Sequence, residues 1–168
     1  MATYRYILTE ATVYDSSGSK LREALDKFNS MNEEAYNLLQ SMEAYLNKKD
    51  PNIVSKLDKV ISYLKNIQTV YDQMDQFIDK YKDMEMKKTP EIADTIERDC
   101  ENTKKTIKMM REKDAQMLEL YSKQRDTLAK KATDSSVLSP IINRAKAIFT
   151  VHKQNSGKIR NLTKRVTA

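Results

Sequence analysis

Two segments of this chain repeat apolar residues at alternating spacings of three and four, and this pattern restricts the fold more than any other feature. The first segment carries Leu21, Ala24, Phe28, Met31, Ala35, Leu38, Met42 and Tyr45. The second carries Ile53, Leu57, Val60, Leu64, Ile67, Tyr71, Met74, Ile78 and Tyr81. Such heptad spacing puts each set on one face of an α-helix, so two long amphipathic helices are predicted.

Additional apolar residues flank both rows, among them Leu25, Leu39 and Ile61. They broaden a narrow coiled-coil seam into a face wide enough for a helical bundle. Only a few residues around Pro51 separate the two helices, and so short a connection favours an antiparallel hairpin. With two Gly and three Pro, the chain offers little material for turn-rich sheet folds. The predicted fold class is all-α, an elongated antiparallel helical hairpin or four-helix bundle with coiled-coil character.

Each of the three prolines follows a residue that can cap a helix, in the pairs Asp50-Pro51, Thr89-Pro90 and Ser139-Pro140. Proline is well tolerated at the first helical position, and the preceding side-chain oxygen can accept from the free amides of the first turn. A fourth start is expected after the polar run 15–18. These signals predict helices at 18–48, 51–86, 90–132 and 140–166.

The third predicted helix has the least apolar row. That row reads Ala93, Ile96, Cys100, Thr103, Ile107, Met110, Asp114, Met117, Tyr121, Gln124 and Leu128. Its polar members indicate a helix that is partly exposed, or one whose interface a partner completes. Methionine suits an adaptable binding surface, and five methionines lie in or near this helix: Met84, Met86, Met109, Met110 and Met117.

Charge is distributed unevenly along the chain, and Asp134 is its last acidic residue. Residues 1–134 hold 23 Lys or Arg against 24 Asp or Glu, whereas residues 135–168 hold seven basic residues and no acidic one. An asymmetry of this kind marks the segment that meets an anionic partner, whether an acidic protein, a nucleic acid or a lipid surface.

The basic segment is also amphipathic. Its apolar stripe consists of Ile141, Ala145, Ile148, His152, Asn155, Ile159, Leu162 and Val166. Its basic patch, which lies mainly off that stripe, consists of Arg144, Lys146, Lys153, Lys158, Arg160, Lys164 and Arg165. Both sets are predicted to bind a partner, because an amphipathic helix docks its apolar face in a groove. The alternative is docking on its own bundle, with the bases along an acidic strip of the second helix formed by Asp72, Asp75, Asp79 and Asp83.

Two segments admit more than one interpretation. In the last helix, Asn155 can fix the register of a helical interface, while Gly157 can divide the helix in two. The first 17 residues either extend the first helix or form an extended arm, because Tyr4, Tyr6 and Leu8 alternate as in a strand. The expected organisation is an N-terminal arm (1–17), a core of three long helices (18–134) and a basic C-terminal helix (139–168).

Catalytic and cofactor sites are not expected from this sequence. The one histidine, His152, and the one cysteine, Cys100, both lie on apolar rows, where buried structural roles are more common than catalysis. Two glycines do not supply a phosphate-binding loop, and no Glu-x-x-His motif offers ligands for a metal pair. We therefore expect no enzymatic activity, no metal, no cofactor and no small-molecule substrate.

The function predicted from these features is non-enzymatic protein–protein interaction, as in an adaptor, an assembly factor or an export chaperone. The partner is expected to be another protein, a second copy of this chain, or both, bound through the C-terminal helix and the polar part of the third. Binding of nucleic acid or of an anionic membrane surface through the basic segment is the alternative. The lack of a long apolar run and of a signal-peptide pattern favours a cytoplasmic location.

Overall fold

The computed structural model describes the backbone of residues 2–44, 52–130 and 135–167, and the side chains of 18–44, 52–130 and 136–162. Within these ranges the chain forms four α-helices: α1 (Ala2–Glu43), α2 (Ile53–Lys88), α3 (Ala93–Lys130) and α4 (Ser139–Thr167). Short 3₁₀ turns, Pro90–Ile92 and Ser135–Leu138, precede α3 and α4. At about 1.5 Å per residue, α2 alone extends about 54 Å, so the bundle is elongated.

Each helix packs antiparallel to its neighbour in sequence, and α4 closes the bundle against α1. The ring of Phe28 in α1 lies 5.5 Å from that of Tyr71 in α2. At one end of the bundle, Lys146 of α4 reaches Glu43 in the last turn of α1. The all-α antiparallel four-helix bundle predicted from the heptad rows is therefore confirmed.

The rows of α1 and α2 form the larger part of the core. All the residues predicted for the row of α2 are buried, and Val70 joins them. In α1 the buried face is rotated slightly from the predicted row: Leu25 and Leu39 are buried, whereas Met31 and Leu38 are only partly so. A helix with two neighbours in a bundle buries a wider face than a single heptad seam, which explains the difference.

α4 contributes to the same core. Its residues Ile142 and Ile159 are buried among those of the other helices. The fully buried ring of Phe28 in α1 lies 5.8 Å from the ring of His152 in α4. The core therefore spans four helices rather than the three assigned to it from the sequence. α4 covers Phe28, which a three-helix arrangement would expose.

The prolines mark helix starts only approximately. α2 begins at Ile53 with Asn52 at its N-cap, and Pro51 lies outside the described residues. α3 begins at Ala93, because Pro90 starts a 3₁₀ turn instead of the helix. Helix ends fray into such turns, so a shift of this size is common.

Thr89 was predicted to cap α3, and this prediction is wrong. Its side chain makes no capping bond to the following turn. The hydroxyl of Thr89 instead donates to the carbonyl oxygen of Glu85 at 2.9 Å, and its backbone N–H does the same. Thr89 therefore helps to end α2. At the other predicted pair, α4 does begin at Ser139.

The polar run 15–18 does not begin a helix. α1 continues through it from Ala2, so the start predicted there is wrong, and the described backbone of residues 2–17 is helical rather than extended. Gly18 is buried, and the packing of a long helix overrides a local propensity cost of about 1 kcal/mol. α4 likewise runs without a break through Gly157 to Thr167.

Candidate interaction surface

The apolar stripe of α4 faces the inside of its own bundle. Its buried members are Ile141, Ala145, His152, Ile159 and Leu162, and its partly buried members are Ile148 and Asn155. A partner can therefore reach the stripe only if α4 leaves the bundle. The side chains of three predicted residues lie outside the described ranges: Val166 of the stripe, and Lys164 and Arg165 of the basic patch.

One polar layer crosses the core and touches all four helices. Asp114 of α3, which is 3% exposed, accepts a hydrogen bond of 2.5 Å from the hydroxyl of Tyr71 in α2. Its other carboxylate oxygen lies 2.8 Å from Nε2 of His152 in α4. Phe28 of α1 packs against the rings of both partners. We call these four residues the polar layer.

The second ring nitrogen of His152, Nδ1, has no hydrogen-bond partner among the described residues. Because a carboxylate only accepts hydrogen bonds, Nε2 is the ring nitrogen that donates to Asp114. Both side chains are almost completely buried, so the pair is closed to solvent. The layer ties α2, α3 and α4 together and offers no open acid–base site.

The buried charge of Asp114 also acts on two tyrosines. Burial, followed by the charge of Asp114 and the hydrogen bond to it, raises the pKa of Tyr71 well above its usual value. Burial and the same charge raise the pKa of Tyr121. Both phenols therefore stay protonated at neutral pH, which keeps Tyr71 a hydrogen-bond donor in the layer.

A small cavity of about 30 Å³ lies beside the polar layer. Asp114 and Tyr121 supply part of its polar lining. Tyr36 of α1 and Phe149 of α4 also line it, and their rings stack 4.1 Å apart across the α1–α4 contact. A space of this size accommodates about one or two water molecules and no larger ligand.

Two basic residues on the α1 side of α4 are paired. Lys146 forms an ion pair with Glu43 at 2.6 Å, and Arg160 forms one with Asp26 at 2.7 Å. All four side chains are partly or largely exposed, so each pair contributes only about 0–1 kcal/mol. These pairs use up the positive charge of Lys146 and Arg160, whereas Lys153 on the same side of the helix has no carboxylate partner among the described residues.

Three other bases of α4 have no carboxylate partner among the described side chains. Arg144 donates to the neutral side chain of Gln116 in α3 at 3.0 Å. Lys153 lies 5.8 Å from the centre of the Phe149 ring. Lys158 is exposed at an opening between α3 and α4. Their charges remain available to an external anion.

Three members of the acidic strip of α2 pair with α3, and among the described side chains none of the strip's ion pairs is with α4. Arg111 of α3 reaches Asp72 at 2.6 Å and Asp75 at 3.4 Å, and Lys104 reaches Asp79 at 2.8 Å. The alternative offered by the sequence, docking of α4 on its own bundle, is therefore confirmed, but the placement of its basic residues along this strip is wrong. The reason is positional, since α4 packs between α1 and α3 and lies diagonally across the bundle from α2.

α3 and α4 form the least extensive of the four contacts between neighbouring helices, and we call the surface strip along this contact the groove. Near one end, Arg144 and Gln116 bond across it. At the other end lies an opening of about 250 Å³, lined by Asp99, Asn102, Thr103, Lys158, Asn161 and Leu162. The groove therefore has polar or basic residues at both ends.

The centre of the groove is apolar. Met109, at 58%, is the most exposed large apolar residue of the described ranges. Residues seven apart lie on one line along a helix. On α3 such a groove line consists of Asn102, Met109 and Gln116. On α4 it consists of Arg144, Val151 and Lys158. The two groove lines come together at both ends of the groove, where Arg144 bonds to Gln116 and where Lys158 and Asn102 line the same opening. Counted from the bond between Arg144 and Gln116, seven residues along each antiparallel helix lead to Val151 and to Met109, so the partly buried Val151 is level with Met109.

Sequence reasoning found only part of this surface. It named the bases of α4 and counted Met109 among five candidate methionines, of which Met110 and Met117 prove to be buried. It missed Val151 of α4, and Asn102 and Gln116 of α3. The spacing of seven was visible in the sequence, but nothing in it shows which neighbouring helix lies beside that line.

Other kinds of site find little support in the described part of the chain. No group of three or more His, Cys, Asp or Glu side chains in those ranges is placed to hold a metal ion. Cys100 is buried, as expected from its position on the apolar row of α3. No helix in the described ranges has an apolar stretch sufficient to cross a membrane.

The described residues define an antiparallel four-helix bundle whose fourth helix carries an exposed basic side. Comparisons with protein-family models, with curated proteins and with solved structures each found no match for this chain. Its function therefore has to be inferred from the surface of α4 and from the groove beside it.

Proposed function

We propose that this protein is a non-enzymatic helical interaction module that binds an acidic partner protein through the exposed side of α4. One observation carries the proposal. Arg144, Lys153 and Lys158 are exposed, have no carboxylate partner among the described residues, and lie on a helix without Asp or Glu. Bases that the protein does not neutralise itself attract and orient an acidic surface.

Such a module acts as an adaptor, an assembly factor or an export chaperone. A cytoplasmic location suits it, since a chain whose one cysteine, Cys100, cannot form an internal disulfide fits a reducing compartment. The partner is another protein or a second copy of this chain. Glu23 and Glu33, which are exposed on α1, would supply the acidic groups of a second copy.

Binding through the apolar stripe is a costlier route to the same function. It requires α4 to undock, and residues such as Ile141 and Ile159 would then lose a burial worth roughly 1.5–3 kcal/mol each before the partner contributes. Binding through the exposed side requires no rearrangement. This difference favours the exposed side.

Nucleic acid is the second candidate, and a specific feature supports it. The most exposed line of α4 carries uncharged hydrogen-bonding residues: Asn143, Thr150, Gln154 and Asn161. This line runs between the basic residues on the α3 side of the helix and those on its α1 side. Side chains of these types contact phosphates and base edges in nucleic-acid complexes. An anionic membrane is less well supported, because the apolar face that would insert is turned into the bundle.

The test uses the full chain and three labelled probes: an acidic helical peptide, a DNA duplex of about 20 base pairs, and vesicles containing phosphatidylserine. Binding is measured by fluorescence anisotropy, or by co-sedimentation for the vesicles, at ionic strengths from about 0.05 to 0.3 M. We expect the peptide to bind. A variant with Arg144→Glu, Lys153→Glu and Lys158→Glu should lose affinity by about tenfold or more.

The matched control makes the same charge change on α2, at three exposed lysines: Lys59→Glu, Lys65→Glu and Lys80→Glu. Equal losses in the two variants would show that only net charge matters and would contradict a site on α4. Binding of the duplex without binding of the peptide, with a steep loss in salt, would favour nucleic acid instead.

A further inference from the structure

The groove between α3 and α4 has a pattern that a partner helix can match. Met109 and Val151 form its apolar centre, and Arg144 and Lys158 lie seven residues to either side of Val151. At about 1.5 Å per residue, each base is displaced about 10 Å along α4 from that centre. The pattern is therefore basic, apolar and basic at regular intervals.

We infer that this groove binds an acidic amphipathic helix of the partner protein. A helix lying along the groove places an apolar side chain against Met109 and Val151. Carboxylates about two turns before and after that residue then reach Arg144 and Lys158. This inference rests on the proposed function, since it specifies which segment of an acidic partner the exposed side of α4 recognises.

The other side of α4 is less suited to this role. There Lys146 and Arg160 are already paired with carboxylates of α1. The rings of Tyr36 and Phe149 stack on each other and close the contact. On the α3 side, both Arg144 and Lys158 lack carboxylate partners among the described residues, whereas on the α1 side only Lys153 of three basic residues does. The flexible thioether of Met109 can also adapt to an incoming side chain.

The opening at the Lys158 end suits one carboxylate of the partner. Its volume of about 250 Å³ leaves room for such a side chain. Asn102 and Asn161 line it together with Lys158, so amide donors and a cation converge there. Asp99 lines the same opening, and the donors must outweigh its charge for the carboxylate to bind.

The test uses a labelled helical peptide of about 20 residues, with Leu at its centre and Glu seven positions to either side. A second peptide of the same composition has its Glu residues moved off that face. We expect the full chain to bind the first peptide about tenfold more tightly, which corresponds to about 1.4 kcal/mol. In spectra of protein labelled with ¹³C at the methionine methyl groups, the Met109 signal should shift on binding.

Three variants locate the contact. Met109→Ala and Lys158→Glu should each weaken binding about tenfold, or about 1.4 kcal/mol. Lys153→Glu makes the same charge change on the α1 side of α4 and should weaken it much less. All three positions are exposed, so circular dichroism should show folded proteins.

The outcomes separate this inference from the proposed function. The groove site would be contradicted if Lys153→Glu and Lys158→Glu lost affinity equally while Met109→Ala lost none. Equal affinity for the two peptides would contradict it too. Either result would leave a diffuse site for an acidic partner on α4. If the wild-type chain binds neither peptide, the proposed function fails as well. Larger losses of affinity in Met109→Ala and Lys158→Glu than in Lys153→Glu would support both the groove site and the proposed function.

Discussion

At the scale of single residues, the polar layer determines how firmly α4 is held. Asp114 accepts from Tyr71 and contacts His152 inside the core, so Asp114→Ala leaves two buried polar groups without a partner. We expect this change to lower the free energy of unfolding by about 3 kcal/mol. Urea denaturation followed by circular dichroism measures the loss.

Two substitutions serve as controls for that prediction. Tyr71→Phe removes one hydroxyl and leaves the contact between Asp114 and His152 intact, so a loss of only about 1 kcal/mol is expected. Glu112→Ala changes an exposed carboxylate on the same helix and should stay within about 0.5 kcal/mol of the wild type. An Asp114→Ala variant as stable as Glu112→Ala would mean that the layer contributes nothing.

The sequence placed Asp114 and His152 on the inner rows of their helices, and both are buried there. It could not predict that they meet. Periodicity determines the angle of a residue around its own helix, but not its position along the bundle axis relative to a residue on another helix. That position depends on where each helix begins and how the pair is aligned.

At the scale of the helices, Gly157 weakens α4 without a visible structural reason. A Cβ added at this position meets no atom within 4 Å, and no described glycine has a positive φ. Gly157→Ala should therefore raise the free energy of unfolding by about 0.5–1 kcal/mol, because alanine loses less conformational entropy in a helix. Thermal unfolding would show a higher midpoint. Ala147→Gly, at another exposed position of α4, should have the opposite effect.

Prediction of the helices from sequence succeeded where a row was continuous and failed where a short signal was used alone. The heptad row of α2 identified its buried face, whereas the polar run 15–18 suggested a helix start that does not exist. The stripe of α4 was also placed on the correct face. What covers that face could not be predicted, because an amphipathic pattern looks the same whether its groove belongs to the same chain or to a partner.

At the scale of the whole molecule, the four helices share one core, so removal of α4 should affect all of it. A chain that ends at Leu138 exposes Phe28 of α1 and leaves the carboxylate of Asp114 without His152. We expect this truncated protein to retain helical circular dichroism but to lose cooperative thermal unfolding and to bind the dye ANS, as a loosely packed state does.

The full-length chain with Ile159→Ala is the matched comparison, since it removes apolar volume from α4 but keeps the helix. It should unfold cooperatively with stability lowered by about 2–5 kcal/mol. If the truncated chain instead unfolded cooperatively near the wild-type midpoint, α1 to α3 would form a self-sufficient core. The apolar stripe of α4 would then be free to dock elsewhere, and the partner would bind that stripe rather than the exposed basic side.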